Sequence, residues 1–260
     1  TLLSRLQRFG IYYHPKFDYE GPYTTYPSKV GFCSSHQFAI DHVPPNSVVL
    51  DIGCGPGHVA RALRAKGCRV IGMDQYIGDD TRTACDETQT IDFDDPHFPL
   101  PDMGLRLDVV LLLDIIEHCR NPERFLMSLR MRLAKYRPLV IVTTGNVGFI
   151  VTRLSLLLGG FNYGRRGILD MTHARLFTRS SLRNVLQHAG YAVEKTQGIP
   201  APFPLVFSRA WLARVCLQTN RALIALHTGL CAYQIGCVSR MIPTLELLLE
   251  DAAYGDSSRI

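Results

Sequence analysis

Residues Leu111 to Cys119 read LLLDIIEHC, a leucine run fit for the inside of a protein followed at once by Asp114, Glu117 and His118. At positions i, i+3 and i+4, the three would share one face of a helical turn beginning where the strand stops. Two carboxylates and an imidazole would then converge. Such a group can take a proton from a weakly acidic acceptor, or it can hold a hard divalent cation through oxygen and nitrogen donors.

A second constellation lies upstream. VVLDIGCGPGHVARAL sets a buried strand, a glycine turn and an amphipathic helix in immediate succession. Gly53, Gly55 and Gly57 let backbone N–H groups approach a ligand at a helix N-terminus, where the dipole favours negative charge. An ordinary tight strand-to-helix turn would use glycine as well. The dinucleotide pattern G-x-G-x-x-G fails, because its third glycine position falls on His58, whereas G-x-G-x-G preceded by Asp51 fits. On these residues VLDIGCGPG resembles motif I of the class I S-adenosylmethionine (SAM) dependent methyltransferases.

The resemblance extends over residues 45 to 197 and implies roles for particular positions. The glycine loop, with Asp51, would wrap the methionine and ribose end of SAM. Asp74, closing VIGMD, would accept from both ribose hydroxyls; a lone Asp at a strand end also forms turns. IDFDDPHFPLPD is similar to the family's adenine-side loop, which would set Asp92 toward the adenine amino group and Phe93 against the ring. LDVVLLLDIIEHCRNPERFL resembles the fourth motif and its helix, with Leu113 closing the strand beside the cofactor. THARLFTRSSLRNVLQHAGYAVE resembles the approach to the last helix.

The D-x-x-E-H spacing resembles E-x-x-E-H in two groups, the ubiquinone-pathway catechol O-methyltransferases, which are the nearer in motifs, and the small-RNA terminal 2′-O-methyltransferases. There the triad holds a divalent cation, and in the RNA enzymes a later histidine completes it. His173 in HARLFT stands at that position. The resemblance therefore implies either a Mg2+ or Mn2+ site of Asp114, Glu117, His118 and His173, or His118 acting as base without metal. Asp114 departs from the pattern by one methylene, and plainer duties stay open: Asp114 on the SAM amino group, His118 as packing, His173 as a turn cap.

These residues need a frame. From Ser47 to Gln197 short β-rich runs alternate with helical patterns, which predicts an α/β fold with a doubly wound, largely parallel sheet. Strands are expected at SVVLDI, CRVIGMD, TQTID, LDVVLLLD, PLVIVTT and YAVEKTQ. Helices are expected at HVARALRAKG, closed by Gly67, at NPERFLMSLRMRLAKY, capped by Asn121 with Pro122 in its first turn, and at TRSSLRNVLQHAG, capped by Thr178 or Ser180 and closed by Gly190. The family fold implies a Rossmann-like seven-stranded sheet of order 3-2-1-4-5-7-6, with AYQIGCVSRM as the late antiparallel strand.

Three segments fall outside the alternation. Residues 1–46, with Tyr12, Tyr13, Tyr19, Tyr23 and Tyr26, are expected to form a leading helix and lid, and residues 47–260 the methyltransferase domain. Acceptor-side insertions are expected at about 146–178, which holds Arg165 and Arg166, and at about 199–230. The apolar stretch 203–228 with spaced arginines suits an acceptor pocket, a core helix or a helix lying on an anionic membrane surface.

Composition bounds the rest. With 28 Lys and Arg against 23 Asp and Glu, the chain is mildly basic, and no basic stripe interleaved with aromatics argues for a nucleic-acid partner. Eight cysteines without a C-x-x-C pair suggest neither a zinc ribbon nor a disulfide framework, hence a reducing, cytoplasmic compartment with peripheral membrane contact as an option. The function expected is methyl transfer from SAM to a small or lipid-linked hydroxyl compound, a sugar or phenol. The alternatives are an N- or C-methyltransferase without metal and a non-catalytic SAM-binding partner protein.

Overall fold

The computed structural model of the protein describes Arg5, residues 28–95 and residues 97–257. The five leading tyrosines lie outside the described residues. Seven strands form one sheet: β1 (Val48–Ile52), β2 (Arg69–Asp74), β3 (Glu87–Thr90), β4 (Val109–Leu113), β5 (Leu139–Gly145), β6 (Tyr191–Ile199) and β7 (Gln234–Met241). Their order is β3-β2-β1-β4-β5-β7-β6, with β1 to β5 paired parallel and β7 antiparallel to both β5 and β6. This is the expected Rossmann-like arrangement.

The strands read as continuous apolar runs because both faces of the sheet are covered. With a side-chain period of two, Leu50, Ile52, Val110 and Leu112 enter one core with Phe125, Leu126 and Leu129. Val49, Val109 and Leu111 enter the other, with Phe38, Val59 and Leu63. Each such leucine or isoleucine, fully removed from water, contributes about 1.5–3 kcal/mol.

The helices are α1 (Ser35–His42), α2 (His58–Arg64), α3 (Asp79–Ala84), α4 (Pro122–Leu133), α5 (Ile150–Leu157), α6 (Arg179–His188), α7 (Phe203–Val206), α8 (Ala210–Leu226), α9 (Thr228–Cys231) and α10 (Leu245–Ser257). Their ends follow the side chains. Asn121 caps α4 by accepting the Arg124 N–H, and Thr178 and Ser181 cap α6 reciprocally. After α2 the chain turns away at Gly67, where φ is +77°.

The segments between β5 and α6 and between β6 and β7 meet in a small core of their own, in which Phe149, Ile168 and Leu169 pack with Ala201, Val206 and Tyr233. Asn146 pins them together by donating to the carbonyls of Gly229 and Ala232. Among the described residues no helix is long and apolar enough to cross a membrane.

Candidate active site

A cavity of about 370 Å³ opens at the C-terminal ends of β1, β2, β4 and β5, where an open α/β sheet offers a crevice to ligands. Gly53, Gly55, Asp51, Asp74, Leu113, Asp114, Glu117, His118 and His173 all line it. Gly53, Gly55 and Gly57 have φ of +80°, +51° and +74°. A Cβ on Gly53 would strike Ile115, and one on Gly57 would strike Ala84, whereas nothing lies within 4 Å of one on Gly55. Gly55 thus leaves room for a ligand against bare backbone.

Gly55 donates its N–H to Asp74 Oδ2 at 2.8 Å, and the Tyr76 N–H reaches Oδ1 at 3.2 Å. Each Asp74 oxygen keeps a lone pair for a ligand hydroxyl. Asp51 is buried beneath the loop. Burial, then the nearby Asp74 charge, raises its pKa to about 7, so a cationic ligand would offset what now holds it protonated. Asp92 borders a separate hollow of about 380 Å³ with Gln75 and Thr90. Phe93 lies in the core, edge-on to Phe125 at 6.4 Å, and lines neither cavity. The face-packing against adenine expected of Phe93 is not prepared here, because its side chain falls on the core side of the loop.

The helical turn expected after β4 does not form. Asp114 takes left-handed backbone geometry, φ +54°, and the chain continues as a turn in which His118 N–H meets the Ile115 carbonyl at 3.0 Å. The bend sends the Asp114 carboxylate back over the sheet. Oδ1 accepts from Thr143 Oγ1 and Gln234 Nε2, each at 2.8 Å; Oδ2 accepts from Ser35 Oγ at 3.0 Å and Lys29 Nζ at 3.2 Å. Burial opposes its charge, but Lys29 and these hydrogen bonds outweigh it and hold the pKa near 2.

With two donors on each oxygen, Asp114 has nothing left for a cation or an amino group. Among the described residues, no three His, Cys, Asp or Glu side chains are arranged to hold a metal ion. The set Asp114, Glu117, His118 and His173 does not fit Mg2+ or Mn2+ as placed.

His118 is held differently. Its Nδ1 lies 3.2 Å from the Thr172 carbonyl and 3.1 Å from Thr172 Oγ1. That hydroxyl gives its proton to Asp170 Oδ1 at 2.8 Å, so both Thr172 oxygens accept at Nδ1. Nδ1 therefore carries the ring proton and Nε2 the lone pair, which is the tautomer of a base. His173 packs edge-on to this ring, centroids 4.7 Å apart, with its Nδ1 on the Ile168 carbonyl at 2.9 Å. Burial lowers its pKa and keeps it neutral.

Glu117 is buried, with Oε1 on the Gly145 N–H at 3.4 Å and Oε2 without a hydrogen-bond partner. Burial first, then the Asp114 charge, raises its pKa to about 7. Relative to an unfolded value near 4.5, the folded chain holds the extra proton in between. The resulting stabilisation is complete below that lower value and is lost as pH rises through about 7. Glu117→Gln keeps the shape and removes the titration, so its stability relative to wild type rises between pH 5 and pH 8, by a few kcal/mol at most. Urea unfolding at both pH values measures this; a difference unchanged with pH would contradict it.

The sequence pattern does not single out Lys29, Ser35, Thr143 and Gln234, which orient Asp114, or Thr172 and Asp170, which orient His118. One signal was available: Asp170 accepts the N–H and hydroxyl of Thr172 two positions on, a turn that D-x-T encodes.

The chain is similar to known proteins over most of the part that builds this cavity, Lys29 and the lining residues after 196 excepted. Residues 30–196 match a family described as "Methyltransferase domain". A Mycolicibacterium smegmatis protein named as an S-adenosylmethionine-dependent methyltransferase is 30% identical over 156 residues, 58% of this chain and 54% of that protein. The ubiquinone biosynthesis O-methyltransferase of Azorhizobium caulinodans is 27% identical over 157 residues, 58% of this chain and 61% of its own. The chain thus spans little more than half the length of these curated relatives. A SAM-dependent methyltransferase structure from Thermotoga maritima shares the fold at a TM-score of 0.52 and 16% identity, covering 79% of this chain and 87% of that one. The chain belongs to the class I S-adenosylmethionine-dependent methyltransferase family.

Proposed function

We propose that the protein transfers a methyl group from SAM to a hydroxyl oxygen of a small or lipid-carried acceptor, with His118 taking the hydroxyl proton. The observation that carries this reading is the Nδ1–H tautomer imposed by Thr172, which leaves His118 Nε2 as an acceptor in a residue lining the cavity. The open space at Gly55, the Asp74 oxygens and the desolvated Asp51 suit SAM, which supplies a methyl carbon on a positively charged sulfur.

The remaining work falls to the chain. A neutral hydroxyl is a poor nucleophile, so His118 accepts its proton as the oxygen bonds to the methyl carbon and the carbon–sulfur bond breaks. The products are a methyl ether, the uncharged thioether and protonated His118. Asp170 and Thr172 hold the imidazole in place, and alignment in the cavity supplies much of the rate. No step passes through a metal, because Asp114 is saturated. Ile168, Pro202, Leu205 and Tyr233 also line the cavity, an apolar set that suits a phenol ring; the ubiquinone-pathway names among the relatives point the same way.

Radiolabel from methyl-labelled SAM tests this on a panel of phenols and sugars with and without a strong chelator. The label is expected in an ether, undiminished by chelator. Label on nitrogen or carbon, or loss of transfer with chelator, would overturn it.

A further inference from the structure

We infer that the two segments inserted between β5 and α6 and between β6 and β7 form a docking surface for an anionic lipid bilayer. α5 and the turn after it expose Leu154, Leu157 and Leu158, the last 85% accessible. The outward stripe of α8 carries Trp211, Val215 and Leu226 at helical spacing, while Ala213, Asn220 and Ile224 face inward. Leucine and tryptophan on the outer face of an amphipathic helix suit the headgroup boundary of a bilayer.

Charge identifies the occupant. Residues 124–169 and 195–245 contain no Asp or Glu, so Arg153, Arg209, Arg214 and Arg221 have no acid near them in sequence. Arg153 lies on α5; Arg209, Arg214 and Arg221 are exposed on α8 and at its start, with Arg214 and Arg221 two turns apart on one flank. Long arginine stems lie along an apolar surface while their heads reach phosphate. The other exposed apolar helix, α10, alternates Leu245, Leu248 and Leu249 with Glu246 and Glu250, which anionic lipid would repel. A partner chosen by both charge and apolar contact would therefore take the α5–α8 face.

The same segments build the acceptor side of the cavity. Pro202 and Leu205 line it, and their neighbours Ala201 and Val206 pack with Phe149 at the head of α5. A bilayer seated on this face would bring a lipid-carried acceptor to the cavity wall; that purpose rests on the methyl-transfer reading, whereas the contact itself does not.

Vesicle flotation of the full chain tests the inference, using phosphatidylcholine alone and an equal mixture with phosphatidylglycerol. Wild type is expected to float with the mixed vesicles, poorly with the neutral ones, and less as salt is raised. Arg209→Gln/Arg214→Gln/Arg221→Gln and Leu157→Ser/Leu158→Ser should each lower the bound fraction by at least about tenfold. Circular dichroism and SAM calorimetry on the same samples report folding and the cofactor site. Wild type that binds SAM but stays down with mixed vesicles would overturn the surface. So would variants that float as wild type does, or a dimer in sedimentation that Leu157→Ser/Leu158→Ser dissolves, since a second copy would then cover the face. Flotation without SAM binding would leave the surface standing and remove the methyl-transfer reading.

Discussion

Replacing His118 with alanine lowers kcat by about 10²–10⁴-fold while the Kd for SAM stays within about twofold. The two halves follow from where the ring sits. His118 follows β4 and is tied to Thr172, whereas Asp74 is held by the Gly55 and Tyr76 N–H groups, so the loss of the imidazole leaves the cofactor's partners in place. What disappears is an imidazole whose hydrogen bonds to Thr172 leave Nε2 as the acceptor, and Glu117, a buried carboxyl whose pKa is raised to about 7, is only about half ionised at neutral pH. Thr172→Val separates base chemistry from simple packing. It keeps the imidazole, the carbonyl acceptor and the backbone bond to Asp170 but removes the hydroxyl that links Nδ1 to Asp170, and should lower kcat by about tenfold with KM little changed. Stopped-assay label transfer measures both variants; unaltered kcat in His118→Ala would mean the imidazole only packs.

Asp114→Ala should be the most destabilising change at the site, by about 2–4 kcal/mol. The carboxylate joins four parts of the fold: Lys29 before α1, Ser35 in α1, Thr143 on β5 and Gln234 on β7. Removing it strands a lysine ammonium and three polar groups in a confined space. The magnitude stays below that of a fully buried pair because the Asp114 side chain retains 26% of its accessible surface. Asp114→Asn keeps the shape and two acceptor positions and should cost less. The pH dependence has a definite sign. With its pKa held near 2 against 3.8 when unfolded, Asp114 contributes stability above the unfolded value and loses it as pH falls toward 2. Urea unfolding of both variants checks the order; Asp114→Ala as stable as wild type would show that the four contacts do not hold the fold together.

The sheet was legible because buried parallel strands leave an unmistakable trace: VVLDI, VVLLL and LVIVTTG are apolar through their length, and caps such as Asn121 and Thr178 mark the helices between them. Order β5-β7-β6 came from family resemblance, since nothing local in QIGCVSRM specifies antiparallel pairing. The glycine loop and Asp74 were legible for a different reason, that close backbone approach admits few residue types. The spacing of Asp114, Glu117 and His118 misled because periodicity assumes a helix. A single residue at φ +54° redirects the first side chain to partners 29 and 120 positions away, and pattern alone does not encode such partners. Phe93 shows the same limit, as a loop residue's face is fixed by the core it meets, here Phe125.

The central claim is that the cavity at Gly55 and Asp74 is a SAM site, and calorimetry of SAM with the full chain addresses it most directly. The wild-type chain is expected to bind one equivalent. Because Asp51 and Glu117 sit near pKa 7, a cation entering beside them should release protons below that pH, so affinity falls on acidification. Asp74→Ala should weaken binding by at least about tenfold, as two ribose hydroxyls lose a charged acceptor. No heat of binding from a folded wild-type chain, or binding untouched by Asp74→Ala, would contradict the account.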